Sequence, residues 1–533
     1  MKYLSTRGGE ERLSFEETVL TGLAPNGGLY IPEHIPSLPV DWRTKWKDYS
    51  FVDLSVAVLS LYISPEEIST QELRSLVEKS YSTFRHPDIT PLKKLDDKTF
   101  VLELFHGPTF AFKDFFLLRR NARRAPGEKP ERLTVVGATS GDTGSAAIYG
   151  LRNKANISIF ILHPKGRVSP IQEAQMTTVT DANVHNVAVK GTFDDCQDIV
   201  KTLFADKEFN AAHRLGAVNS INWARILAQT VYYFLSFFHF QRQLPSGTSV
   251  EDVELQYVVP TGNFGDILAG YYAKTMGLPI GKLVVATNAN DILARFWKSG
   301  KYEKVDSTVS EGEGPTEPVE GGSDGRQATD ASGVKETLSP AMDILVSSNF
   351  ERLLWYLAYE NAQGANDEEK KHAASKTVDG WMSHLKSNGR VQVPVPVLET
   401  ARKDFLAEKI PDDLTLKTIK AFFEGKPSYV ADPHTAVGLA ASRIIAAQNP
   451  SSVYQIILST AHPAKFSEAV SRALEGTSSF NFDRDVLPEE FRGLLEMEKR
   501  VIDVERPDIE LVKAVIEKFA QKENHVHGNT GSV

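Results

Sequence analysis

From about residue 100 onward, short apolar, β-branched runs alternate with glycine-rich or polar turns, and each turn opens a stretch whose apolar positions recur at helical spacing. Such runs stand at 133–136, 157–162, 255–259, 283–286, 429–430 and 453–458. Repeated strand–turn–helix units predict an α/β protein with mostly parallel sheets. The first 90 or so residues differ, because helical spacing around 54–61 and 70–84 is broken by turns such as APNGGLYIPEHIP. They predict a small, mainly helical lead-in unit. The greasiest stretch, VYYFLSFFHF at 231–240, is well short of the roughly 20 residues that span a bilayer. It predicts a helix packed on all sides. Residues 303–340 are nearly devoid of apolar side chains and rich in Gly, Ser, Glu and Pro. They cannot bury enough surface to offset their ordering entropy, so a mobile insertion is expected there, and a flexible tail over 524–533.

Composition narrows the function. Lys and Arg total 60 against 69 Asp and Glu, a net charge of −9, which does not suit a dedicated nucleic-acid binder. The single cysteine, Cys196, has no partner for a disulfide or a thiolate metal cluster, so a reducing, cytoplasmic setting is expected. Its acidic neighbours disfavour the thiolate. The opening MKYLSTRGGEERLSFEE contains acids and no apolar core, unlike a secretory or transit segment. The 13 histidines show no ligand spacing, so no metal is expected. His434 and His462 stand at turns that open predicted helices, where structural and proton-carrying roles are equally open.

Three segments carry candidate chemistry. TGNFGD, residues 261–266, joins a predicted strand to a predicted helix. Converging backbone N–H groups and the helix N-terminus suit a phosphate there, and Gly262 and Gly265 tolerate the angles required. The absence of a following GK[ST] excludes a Walker loop, and no G-x-G-x-x-G supports a nicotinamide-dependent dehydrogenase. TSGDTG, residues 139–144, offers the hydroxyls and amides of Thr139, Ser140 and Thr143 to an anion. Asp142 would repel that anion unless it faces a cation or a protonated group, and for this turn taken alone helix capping is the better explanation of the residue types. In ELFHGPTFAFKDFFLLRR, Lys113 lies among Phe110, Phe112, Phe115 and Phe116. Either it snorkels, or it is a desolvated amine able to form a Schiff base with an aldehyde. A lysine, an anion turn and a hydroxyl-rich turn together match the parts needed for pyridoxal phosphate.

The segments HGPTFAFKD, GATSGDTGSAA, AVNSINWARILAQ, TGNFGDILAG and STAHPAKF, with GLAPNGGLYIP near the start, resemble the threonine synthases, in particular their longer fungal form. The resemblance spans residues 1 to about 520. It implies the tryptophan-synthase-β (fold type II) class: two mostly parallel α/β domains with pyridoxal 5'-phosphate between them. A small N-terminal unit over 1–92 would precede a catalytic core over 93–523 that contains a smaller α/β subdomain at about 130–240. By the same resemblance, Lys113 binds the cofactor covalently, and Gly262, Asn263, Phe264, Gly265 and Asp266 lie at its phosphate. Thr460 faces the pyridine nitrogen, and Thr139, Ser140, Asp142 and Thr143 belong to the substrate-gripping loop. Asp142, where many members of the wider class carry Asn, leaves the partner of the cofactor's phenolic oxygen open.

The implied reaction converts O-phospho-L-homoserine and water into L-threonine and phosphate, with the freed Lys113 amine as base. Lys165, Arg167, Arg225 and Lys465 are all candidates for the substrate phosphate. Two other readings carry weight: a serine/threonine dehydratase or β-replacement synthase of the same cofactor class, and a threonine-synthase-like binding protein without turnover. The expected partner is a small-molecule substrate, with no nucleic acid or membrane; monomer and homodimer are both open.

Overall fold

The computed structural model describes residues 1–114, 132–217, 220–304 and 333–528. The larger of its two main sheets has six strands in the order Phe405–Lys409, Leu283–Thr287, Glu254–Pro260, Val453–Ser459, Thr99–Glu103, Leu92–Lys94. All neighbours in it run parallel except the last pair. The second sheet has five parallel strands, ordered Ile502–Val504, Val184–Val189, Ile157–Pro164, Leu133–Ala138, Leu215–Ala217. The central strands are buried along nearly their whole length; Ile157–Pro164 and Val453–Ser459 are buried at every position. Helices cover both faces, which is why these strands read as continuous apolar runs and not as alternating ones.

The expected α/β architecture is present, with two local corrections. Residues 429–430, expected as a strand, are not in one: they lead as irregular chain into the helix Pro433–Ala446. Two apolar residues make too short a run to enter a ladder, and the Tyr429 hydroxyl instead donates to Ser459 Oγ at 3.1 Å. Of the expected insertion at 303–340, residues 305–332 lie outside the described residues. At the C-terminus the helix Ile509–Gly528 continues past the point at which the tail was expected to begin, and residues 529–533 lie outside the described residues.

The apolar stretch at 231–240 sits in the helix Trp223–Gln243, started by Asn222, whose side chain accepts from the Ala224 amide at 3.0 Å. Its aromatic residues pack into the core of the larger sheet and against the N-terminal unit; Trp42 lies among Phe234, Phe237 and Phe238. Trp223 meets Tyr3, Tyr62 and Tyr272. The N-terminal elements include the paired strands Tyr3–Ser5 and Tyr30–Pro32 and the helices Phe51–Leu59 and Thr70–Tyr81. Among the described residues, no helix is long and apolar enough to cross a membrane.

Trp223 is 1% exposed and bridges the N-terminal unit to the helix layer of the larger sheet. Trp223→Ala should destabilise the protein by about 3–5 kcal/mol, read as a lower denaturant midpoint.

Candidate active site

Three neighbouring strands of the larger sheet deliver three of the sequence motifs. Glu254–Pro260 leads into TGNFGD, Val453–Ser459 into Thr460, and Thr99–Glu103 into the loop that carries Lys113. The strand Leu133–Ala138 of the second sheet leads into TSGDTG. All four segments therefore follow the carboxyl ends of parallel strands, where open α/β sheets bind ligands.

The lysine loop is tied to the Thr460 turn by main-chain bonds. Phe112 N–H donates to the Thr460 carbonyl at 2.8 Å, and His462 N–H donates to the Phe110 carbonyl at 3.1 Å. Within the loop, the Asp114 carboxylate accepts from the Thr109 amide at 2.8 Å and from the Thr109 hydroxyl at 2.6 Å. Arg85 donates to the Gly107 and Pro108 carbonyls and lies 3.8 Å over the Phe110 ring. Lys113 is half-buried in a 3-10 turn, Phe112–Asp114, and the expected neighbours Phe115 and Phe116 lie outside the described residues. Loss of water around the Lys113 amine pulls its pKa down to about 8; Asp142 opposes this, and Arg225 and Lys465 push the same way as burial.

The TGNFGD turn is held from behind. Ser347 Oγ donates to the Gly262 carbonyl at 2.7 Å, and the Asn349 amide and side chain donate to the Asn263 carbonyl at 3.0 and 2.9 Å. With these carbonyls engaged, the amides of Gly262, Asn263 and Phe264 have no acceptor among the described residues. A Cβ at Gly262 would stand 2.7 Å from the Ala341 carbonyl oxygen, and Phe264 has a left-handed φ of 62°. Free amides at the start of the helix Gly265–Met276 fit an anionic group such as a phosphate. The Asp266 carboxyl is engaged elsewhere, accepting from the Tyr232 and Tyr233 hydroxyls, so only its amide could serve an anion.

Ser347, Asn349 and Arg352 belong to none of the sequence motifs that carry candidate chemistry. Arg352 is fully buried and donates to the Tyr30 carbonyl at 2.9 Å, to the Ile221 carbonyl at 2.7 Å and to the Asn349 side chain. It thereby joins the N-terminal unit to the groups that brace the anion turn.

In the TSGDTG turn, the buried Thr139 hydroxyl oxygen accepts from the Gly141 and Gly144 amides at 2.9 and 2.8 Å. Thr139 thus shapes the turn, while the half-buried hydroxyls of Ser140 and Thr143 have no partner among the described residues. Gly141 has a φ of 141°, and a Cβ there would lie 2.6 Å from the Gln172 side chain. Gln172 Nε2 donates to Asp142 at 2.8 Å, and Lys465 Nζ lies 2.5 Å from the same carboxylate. Burial would raise the Asp142 pKa, but the charges of Lys465 and Lys113 and the hydrogen bonds from Lys465 and Gln172 hold it down at about 2.

Two of the four candidate cations, Arg225 and Lys465, are buried beside Lys113; Arg225 Nη2 donates to the Lys113 carbonyl at 3.4 Å. Lys165 is paired with Asp503 at 2.8 Å, and Arg167 is exposed. Burial, helped by Asp195, pushes the Cys196 thiol up to about 12, so it stays protonated. His462 is held down to about 4 by burial, and its Nδ1 accepts from the Ala464 amide at 3.2 Å. His434 spans Asp432 Oδ1, at 2.8 Å, and the Ala341 amide, at 3.2 Å.

Known proteins similar to this chain identify its family. Family models match residues 2–81 (threonine synthase N terminus), 84–343 (pyridoxal-phosphate dependent enzyme) and 435–516 (threonine synthase, C-terminal). A threonine synthase of Schizosaccharomyces pombe is 53% identical over 538 residues, 98% of this chain and 99% of that one. The chain belongs to the threonine synthase family. The crystal structure of threonine synthase from yeast superposes with a TM-score of 0.85 at 50% identity, covering 98% of this chain and 99% of that one. A pyridoxal-phosphate-bound threonine synthase from Brucella melitensis gives 0.79 at 37% identity, covering 97% and 99%. The expected fold type II architecture and family are thus borne out.

In this threonine synthase fold, burial lifts the Asp266 carboxyl to about 7, against the lowering effect of Tyr232 and Tyr233. The folded protein therefore holds a proton there that the unfolded chain releases near pH 4. Stability attributable to this group is present below that value and declines as pH rises towards about 7. Asp266→Asn, which mimics the protonated carboxyl, should flatten that decline in denaturation midpoints measured from pH 4 to 8.

Proposed function

We propose that this chain converts O-phospho-L-homoserine and water into L-threonine and phosphate, using pyridoxal 5'-phosphate held at the residues described above. The observation that carries the reading is the meeting of an amine of lowered basicity with a brace of free amides and a hydroxyl on neighbouring strand ends. When bound, pyridoxal phosphate supplies an electron sink for pairs released beside the substrate's amino carbon.

Lys113 is the residue assigned to covalent attachment of the cofactor and to the α-proton. With a pKa near 8, its Nζ is neutral in about one molecule in ten at pH 7, far more often than an ordinary lysine, so it can accept a proton. General-base action of this kind is typically worth about 10²–10⁴-fold in rate. The amides of Gly262, Asn263, Phe264, Gly265 and Asp266 are assigned to the cofactor phosphate. Thr460, 6% exposed and with its carbonyl bonded to Phe112, is assigned to the pyridine nitrogen. A hydroxyl there does not hold that nitrogen protonated as a carboxylate would. Ser140 and Thr143 offer their free hydroxyls to the substrate carboxylate, in a turn shaped by Thr139 and carrying Asp142.

The same reading places an N-terminal unit over 1–92 ahead of a catalytic core over 93–523, in a cytoplasmic enzyme acting without nucleic acid. Support for the division comes from separate family matches at 2–81 and 84–343.

Borohydride reduction of the coloured holoenzyme should bleach it and fix the label on Lys113; a label on another lysine overturns the assignment. Lys113→Ala should lower phosphate release from O-phospho-L-homoserine by at least about 10²-fold. Ammonia release from threonine in place of that activity would favour a dehydratase.

A further inference from the structure

Asp142 is a carboxylate in a turn assigned to a substrate carboxylate, beside a lysine assigned to act as a base. Both placements are electrostatically adverse. An unscreened carboxylate would repel the substrate's anion, and it would stabilise the charged form of the lysine. Lys465 addresses both. Its side chain is fully buried, its Nζ lies 2.5 Å from Asp142 Oδ1, and it donates to the Thr109 carbonyl at 2.7 Å. The Thr109 carbonyl also accepts from Gln175 Nε2 at 3.2 Å, and Thr109 is bonded to Asp114 within the lysine loop. One ammonium thus links the turn of the second sheet to the loop that presents Lys113.

Resting on the reading above, we propose that Lys465 is a positioning residue whose charge neutralises Asp142 and docks the TSGDTG turn on the lysine loop, so that Lys113 can lose its proton. The charged and titratable groups facing this cluster come from each neighbouring element. Asp114 belongs to the lysine loop, Arg225 to the helix Trp223–Gln243, Asp142 to the helix Asp142–Leu151, and Lys465 and His462 to the turn after Val453–Ser459. Their actions on Lys113 have the signs the proposal requires: Asp142 favours its ammonium, while Lys465 and Arg225 oppose it. The pair also crosses between the two sheets, because Asp142 follows a strand of one and Lys465 follows a strand of the other. Loss of Lys465 would leave a buried carboxylate on which the charge of Lys113 still acts.

The test is a visible-absorbance pH titration of the holoenzyme, which reports the proton on the nitrogen joining Lys113 to the cofactor. Lys465→Met should raise the midpoint by about one unit, because Asp142 then acts on that nitrogen uncompensated. Asp142→Asn, close in size to the native residue, should move it in the opposite direction. Lys465→Arg should restore most of the parental value. Opposite shifts are not produced by a merely structural pair, whose disruption changes stability in both variants without a sign. If Lys465→Met does not hold cofactor, the Asp142→Asn shift decides alone. An unchanged or raised midpoint in Asp142→Asn, or equal shifts in both variants, overturns the proposal. A parent protein that takes up no pyridoxal phosphate would instead defeat the underlying functional reading.

Discussion

The site is organised around a short antiparallel contact at Ala111 and Ala461, where the loop presenting Lys113 is bonded through its backbone to the turn carrying Thr460. Both segments leave adjacent parallel strands, Thr99–Glu103 and Val453–Ser459, whose register pairs Glu103 with Ser459. Main-chain bonds hold position without depending on side-chain rotamers, so the backbones that carry an amine and a hydroxyl far apart in the chain are fixed against each other. The next strand, Glu254–Pro260, adds the anion turn by the same ladder. A disturbance of this register would move all three groups relative to one another.

Around this frame, charge is arranged by burial. Lys113, Asp142, Lys465, Arg225 and Asp114 form a cluster in which each ion is defined by its neighbours. Desolvation lowers the basicity of the amine, and Lys465 and Arg225 act with it against the opposing charge of Asp142. Arg352 performs a separate task behind the anion turn, spending its donors on two carbonyls and Asn349. Through Tyr30, the N-terminal unit takes part in bracing a turn that it does not itself form.

Much of this was legible in the residues alone. Strand–turn–helix alternation led to a parallel α/β fold because strands covered on both faces must be continuously apolar. TGNFGD, TSGDTG and the FKD loop stood out because each combines glycine or hydroxyl chemistry with a strand end. The helix at 231–240 was readable because no polar side marks an exposed face. Other parts were not readable. Tyr429 and Val430 looked like a strand from composition, whereas the ladder they would need is filled by other segments. Gln172, Ser347 and Asn349 carry residue types common in any helix start, and their importance lies in what they face.

The sequence by itself determined the family, the fold class and the residue types available for pyridoxal phosphate chemistry, because these depend on local pattern and on motifs read in order. Only the tertiary structure decided which charges act on which. It separated Arg225 and Lys465, buried against Lys113, from the outlying Lys165 and Arg167, and it turned the Asp266 carboxyl towards two tyrosines. Coulombic influence depends on distance and on the water removed around each group, and neither quantity is a property of position along the chain.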